Sequence, residues 1–232
     1  MCYIRSREGC RWRHLARTAT TDDFVARHSD LDVIVIAEHP IGDSATQDLL
    51  ECVGAIGREA RTNVDLRVVT RPAAAAPEGS PELELAIAVR VGRNPEAWIE
   101  TRRAQERDLL VEYSVCRQHG VALVGPDPAE LIGEVPTEWL LEVGATQLKE
   151  WQAREFEPMY GDLMVFTACR IWRLATEGRH CSKTAAAEWV LTRQPALNVV
   201  RAAVERRTQD SDVDLREEQV RALLAMVLDQ LA

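Results

Sequence analysis

The sequence predicts a small α/β domain followed by a helical bundle, and three observations carry that reading. Leu31 to Ala37 is an apolar, β-branched run of buried-strand character. Val64 to Thr70 alternates Val64, Leu66 and Val68 against Asp65, Arg67 and Val69, the period of a strand. After residue 126 strand signals cease and helical ones follow one another to the end of the chain.

Each element has its own local reason. Between the first two strands, Leu49, Leu50, Val53, Ile56 and Gly57 recur at helical spacing within Asp43 to Ala60. Strand, helix and strand in so short a stretch form an α/β unit. Leu83 to Val91 is a third strand candidate. Arg71 to Pro81 carries Pro72, Pro77, Gly79 and Pro81 and reads as a surface connection rather than a helix. Residues 101–118 read as a helix leaving the first domain, and Gly120, Gly125, Pro126 and Pro128 punctuate the junction. The expected division is therefore residues 1–120 and residues 121–232. In the second part the candidate helices are 136–154, 159–177, 183–193, 196–209 and 213–231. Pro136 and Pro158 stand near starts, Gly178 follows an end, Ser182 is an N-cap and Pro195 a break.

Composition bounds the rest. The 232 residues are 46% hydrophobic and 28% charged, with a net charge of −9, which is ordinary globular composition that disfavours general affinity for nucleic acid. Negative charge favours a cationic small molecule instead. Lys149 and Lys183 are the only lysines, the remaining bases being arginine. Arg5, Arg7, Arg11, Arg13 and Arg17 against Glu8 leave residues 1–20 with an opposite net charge of +4. No apolar run approaches the roughly 18 residues of a membrane span, and no apolar core of a secretory signal is present. Cys2, Cys10, Cys52, Cys116, Cys169 and Cys181 include no Cys-x-x-Cys pair, so a structural zinc site is disfavoured and reduced thiols are expected. The expectation is a monomer of the cytoplasm.

The densest chemical signal is Ser29-Asp30-Leu31-Asp32 at the head of the first strand. Alternation turns Asp30 and Asp32 to one side and Leu31 to the other. Two carboxylates so placed suit Mg²⁺, which takes hard oxygen ligands together with substrate phosphates. Asp65 lies on the polar side of the next strand, and three carboxylates converge if the strands are neighbours. That set suits metal-assisted phosphoryl transfer, with the third acid receiving a hydroxyl proton. An acidic pair ahead of a strand is also commonly a solvated turn, a reading that the strand context and Asp65 counter.

Separated residues elsewhere resemble one family in register. These are Arg117-Gln118-His119-Gly120-Val121-Ala122-Leu123-Val124-Gly125-Pro126, then Cys169-Arg170-Ile171-Trp172, Ala175-Thr176-Glu177-Gly178, Ser182-Lys183, Ala187-Glu188-Trp189-Val190 and Pro195. Together with His28-Ser29-Asp30-Leu31-Asp32 they resemble the streptomycin/spectinomycin adenylyltransferases over roughly residues 18–209. The resemblance implies a nucleotidyltransferase-type mixed-sheet domain followed by a helical domain, with ATP as co-substrate. It implies transfer of AMP to a hydroxyl of an aminoglycoside-type antibiotic, with Mg²⁺ on Asp30 and Asp32 and Asp65 as general base. Glutamate is usual at the position of Asp65. Ser29, Arg170 and Lys183 match positions that bind the nucleotide, and Asp162 is the implied acid facing the cationic drug. In an alternative register Tyr160 takes that place, with Glu155 and Glu157 nearby. Trp98, Trp139, Trp151, Trp172 and Trp189 read as core or interdomain packing.

The pattern also departs at its start. The family opens its motif with Gly-Ser, whose backbone cradles phosphates. The register puts Thr18-Ala19 there and Asp23 at a later glycine, while Thr20 or Thr21 could offer a hydroxyl from a shifted loop. Residues 1–17 are atypical and few where the family has a helix, which fits a disordered segment or a truncated or altered start. A catalytically impaired relative that binds a ligand or partner is the alternative function, and a nucleotidyltransferase acting on protein is the third.

Overall fold

The computed structural model describes residues 14–17, 30–90, 97–209 and 213–231. The first of two compact units contains a six-stranded sheet in the order β5-β4-β3-β2-β1-β6. The strands are β1 (His14–Arg17), β2 (Leu31–Ala37), β3 (Val64–Thr70), β4 (Glu82–Val89), β5 (Ala97–Gln105) and β6 (Val121–Val124). Only β2 and β3 are parallel, and helix α1 (Asp43–Ala60) joins them.

One-residue alternation divides the sheet into two buried faces. On the first, Val33, Val35, Val64, Leu66, Val68, Leu85, Ile87 and Val89 pack against Ala45, Leu49 and Val53 of α1. On the second, Ile34, Ile36, Val69 and Ala86 pack under helix α3 (Leu109–His119) through Leu109, Tyr113 and Cys116. Leu131 and Ile132, at the end of the short α4 (Pro128–Leu131), complete that layer.

The α1 layer is close enough to require glycine at one point. A Cβ on Gly57 would overlap Val89 Cγ1 and sit 3.1 Å from Val89 Cβ. Gly57→Ala should therefore destabilise the protein by roughly 1–2 kcal/mol, because overpacking outweighs alanine's better helix propensity. Urea unfolding checks this, and the cost should shrink in the double variant with Val89→Ala, which makes room for the methyl.

Several expected elements change. Residues 71–81 are not all loop, because Arg71–Ala75 forms the short helix α2, with Thr70 Oγ1 accepting from Ala73 N and Pro72 in its first turn. Proline is harmless there, since its missing N–H would have no partner within the helix. The helix expected over 101–118 is instead the end of β5 followed by α3. The first unit continues to Val135 and the second runs from Pro136, whereas the junction had been expected at residue 120. Strand β6 explains the extension, since it pairs with β1 and so joins the sheet.

The second unit is helical: α5 (Thr137–Ala153), α6 (Gly161–Glu177), α7 (Lys183–Arg193), α8 (Asn198–Gln209) and α9 (Glu217–Leu231), with a 3₁₀ turn at Pro158–Tyr160 before α6. Helix α6 packs against each of the other four. Its apolar residues cover much of its circumference, from Met164, Val165 and Phe166 to Ile171, Trp172 and Leu174, as expected of a central helix. Gly178 ends it in the left-handed conformation, with φ of 65°, and Ser182 Oγ caps α7 by accepting from Ala185 N.

Candidate active site

Strand β2 sends its odd-numbered residues towards α1 and its even-numbered residues towards the α3 face, so Asp30 and Asp32 share a side. Both are exposed. Asn63, just ahead of β3, donates from Nδ2 to Asp30 Oδ1 at 2.8 Å. The parallel register pairs Asp32 with Asp65 directly, with Leu31 opposite Val64 and Val33 opposite Leu66. The expected neighbourhood of the two strands therefore exists, and it sets two carboxylate-bearing Cα atoms one strand spacing apart, about 4.8 Å.

Asp65 differs in environment from the other two. Its side chain is only 16% exposed, and Oδ1 lies 2.9 Å from Arg90 Nη2. Burial pushes its pKa above the ordinary aspartate value, against the opposing pull of Arg90, and the charge of Asp30 adds to the rise. A carboxyl raised in this way is a better base than an exposed aspartate.

Further charged groups stand on the same face. Arg67, two residues along β3, pairs with Glu112 of α3 at 3.5 Å and with Glu100 of β5 at 3.4 Å. Burial raises Glu112 to about 7, with Arg67 opposing and Asp32 and Asp65 contributing repulsion. Since this folded-state value exceeds the unfolded one, Glu112 favours folding most below the ordinary glutamate range. That contribution is lost as pH rises to about 7. The urea midpoint should therefore fall between pH 5 and pH 8 by more in the wild type than in Glu112→Gln. Equal slopes would show that Glu112 is not the group responsible.

Among the described residues no cluster of three His, Cys, Asp or Glu side chains is arranged to hold a metal ion. Asp30 and Asp32 fit a different requirement. They are exposed hard-oxygen donors on one side of a strand, the donor type of a Mg²⁺ that takes one or two carboxylates and completes its shell with water and phosphate. Ser29, Thr18, Ala19, Thr20, Thr21 and Asp23 lie outside the described residues.

Arg170, Lys183 and Asp162 belong to the second unit. Arg170 is on α6, where Nη2 donates to Thr167 Oγ1 at 3.4 Å, and its charge acts on Cys181 in the link to α7. Lys183 is the first residue of α7, directly after the capping Ser182. The two bases thus attend the same α6–α7 connection. Asp162 lies half-buried in the first turn of α6, where a carboxylate also complements the helix dipole. Tyr160, Glu155 and Glu157 are exposed just before that turn.

The tryptophans divide. Trp151, Trp172 and Trp189 are buried core residues, as expected. Trp98 is 43% exposed on β5, so it is not core, and the Arg90 guanidinium lies 5.9 Å from its ring centroid. Arg90, Glu100 and Glu112 are residues of this face that sequence reading passed over. Arg90 follows the end of β4, and Glu112 reaches the face only because α3 packs there.

The first unit is thus a mixed sheet with carboxylates paired on adjacent strands, and a helical unit follows it in the chain. Residues 130–230 match the model of the aminoglycoside adenylyltransferase C-terminal domain. An aminoglycoside (3″)(9) adenylyltransferase of Rhizobium radiobacter is 36% identical over 89 residues, 38% of this chain and a third (33%) of that relative's length. The corresponding enzyme of Klebsiella pneumoniae is 28% identical over 188 residues, 79% of this chain and 71% of the relative. The crystal structure of a spectinomycin adenyltransferase from Enterococcus faecialis with ATP and spectinomycin shares the fold, with a TM-score of 0.69 at 15% identity, covering 94% of this chain and 91% of that one. Residues 130–230 thus resemble the C-terminal domain of aminoglycoside adenylyltransferases, and most of the chain is similar in sequence to enzymes of that name. No described helix is long and apolar enough to cross a membrane.

Proposed function

We propose that this protein transfers AMP from ATP to a hydroxyl of an aminoglycoside-type antibiotic of the streptomycin/spectinomycin kind, releasing pyrophosphate and conferring resistance. The observation that carries the reading is the direct pairing of Asp32 with the half-buried Asp65 across β2 and β3. Asp30 and Asp32 would hold Mg²⁺, which supplies charge neutralisation on the triphosphate when bound. Asp65 takes the proton of the acceptor hydroxyl as that oxygen bonds to the α-phosphorus. The bond from the α-phosphorus to the bridging oxygen breaks, and pyrophosphate leaves with its electron pair. Ser29, Arg170 and Lys183 are assigned to the nucleotide, the last two as fixed and flexible cations suited to phosphate. Asp162 is assigned to an ammonium of the drug. The net charge of −9 favours approach of such a polycation, and a monomer of the cytoplasm fits this role.

Incubation with ATP, Mg²⁺ and either streptomycin or spectinomycin should yield an acceptor heavier by one AMP in mass spectrometry. The competing reading, a relative that binds ligand without transfer, draws on the sequence Thr18-Ala19 where the family has Gly-Ser. Calorimetry separates the two. Binding of ATP with Mg²⁺ that is lost in Asp30→Asn and Asp32→Asn, together with an AMP adduct, supports transfer. ATP binding with no adduct on any aminocyclitol supports the competing reading.

A further inference from the structure

Asp65 carries a partner that a solvated general base would not need. Its Oδ1 is buried, with Arg90 Nη2 2.9 Å away, so the 16% of the side chain still exposed lies elsewhere than at Oδ1. Arg90 is itself held by further contacts, its Nη1 donating to the Val89 carbonyl at 3.2 Å. Its guanidinium lies 5.9 Å from the Trp98 ring centroid, and its Nη2 stands 3.8 Å from Glu100 Oε1. Trp98 can be there because β5 pairs with β4 and sets Trp98 opposite Ala88, two residues before Arg90, while the next strand sets Ala88 opposite Asp65. Trp98, Ala88 and Asp65 therefore form one row across three strands, and the Arg90 side chain, rooted just past the end of β4, spans it from ring to carboxylate.

We propose that Arg90 is the positioning residue for Asp65: seated against Trp98 and Glu100, it fixes the carboxylate through Oδ1 and leaves the other oxygen to receive the acceptor proton. The inference rests on the role given to Asp65 under the proposed function. A carboxylate has two equivalent oxygens and a freely rotating χ angle, and a base must keep one oxygen within about 2.6–3.2 Å of the proton it takes. An ion pair to one oxygen removes the alternatives, and Arg90 acts without touching the substrate. The ring holds the cation from its face, which a lysine at the same position would use less well than the flat guanidinium.

The test compares Arg90→Met, Arg90→Lys and Arg90→Ala with the wild type. A base misplaced by about 1 Å costs on the order of 10²-fold in rate. Arg90→Met should lower kcat by about that factor while KM for ATP and for the acceptor stays within about twofold, with Arg90→Lys falling between. Added guanidinium chloride at millimolar concentration should restore part of kcat in Arg90→Ala, a recovery that a merely structural role would not give. Unchanged kcat in Arg90→Met, or a loss confined to KM, overturns the proposal. Crystal structures of the wild type and Arg90→Met give a readout independent of turnover. A single Asp65 rotamer in the first and several in the second supports the positioning role, and the same rotamer in both overturns it. If the wild type transfers AMP to no acceptor, the proposed function fails, and these rotamers still decide whether Arg90 holds Asp65.

Discussion

Asp32→Asn is expected to lower AMP transfer by about 10³-fold or more, the equivalent of the several kcal/mol that charge stabilisation by a bound cation supplies. Asparagine keeps the size of the side chain and removes its charge, so the proposed Mg²⁺ site would lose a ligand while packing is untouched. The fold should survive, since Asp32 is exposed at the head of β2 and the buried work of that strand is done by Val33 to Ala37. Pyrophosphate release measures the rate, and a melting temperature near that of the wild type confirms folding. Calorimetry should show weaker binding of ATP in the presence of Mg²⁺. A rate within tenfold of the wild type would remove Asp32 from the machinery.

Asp65→Asn is expected to cost about 10²–10⁴-fold in kcat, the usual contribution of a positioned general base. It should differ from Asp32→Asn in leaving the binding of ATP with Mg²⁺ intact. The pH profile gives a second signature. In the role proposed for it Asp65 must be ionised to accept a proton, and burial has raised its pKa above the ordinary aspartate value. Wild-type kcat should fall as pH drops through that raised value, and the acid limb should vanish in Asp65→Asn. An unchanged acid limb would assign the titration to another group, Glu112 being the nearest candidate by position and by its value of about 7.

The residues that made the second unit recognisable are, in the structure, mainly packing residues. Trp172 and Trp189 meet edge to face at 5.9 Å, with their planes 83° apart. Glu177 accepts from Trp189 Nε1 and from Arg173 Nε, the latter at 2.9 Å, and Arg193 lies 3.8 Å over the Trp189 ring. Their sequence separations are thus those of α6 meeting α7, which explains why the pattern holds over several turns. Such a pattern identifies a fold. The calorimetric experiment addresses the other end of the chain, where Thr18-Ala19 stands in place of the family's Gly-Ser.

In the first unit, periodicity sufficed wherever burial is one-sided or complete. Strands β2 and β3 and helix α1 were legible because each presents an unbroken apolar run or face. Strand β5 was not legible. Its residues are mostly exposed, with Arg102, Arg103 and Gln105 among them, and from residue 101 the stretch reads as a helix. Its structure comes from hydrogen bonding to β4, which lies outside any local window. Strand β6 is four residues long and pairs with β1 from the far end of the unit, so the boundary at Val135 was hidden for the same reason.

The site divides along the same line. Alternation alone put Asp30 and Asp32 on one side of a strand and Asp65 on the polar side of another, because the two-residue period is a property of the chain itself. That Asp32 faces Asp65, that Arg90 grips Asp65 and that Arg67 reaches Glu112 were decided by strand order, register and the seat of α3. Those contacts join residues distant in sequence, and their choice depends on which buried faces meet. The sequence determined which residues could do the chemistry; only the tertiary structure decided which of them stand together, since proximity across strands is set by the packing of the whole sheet.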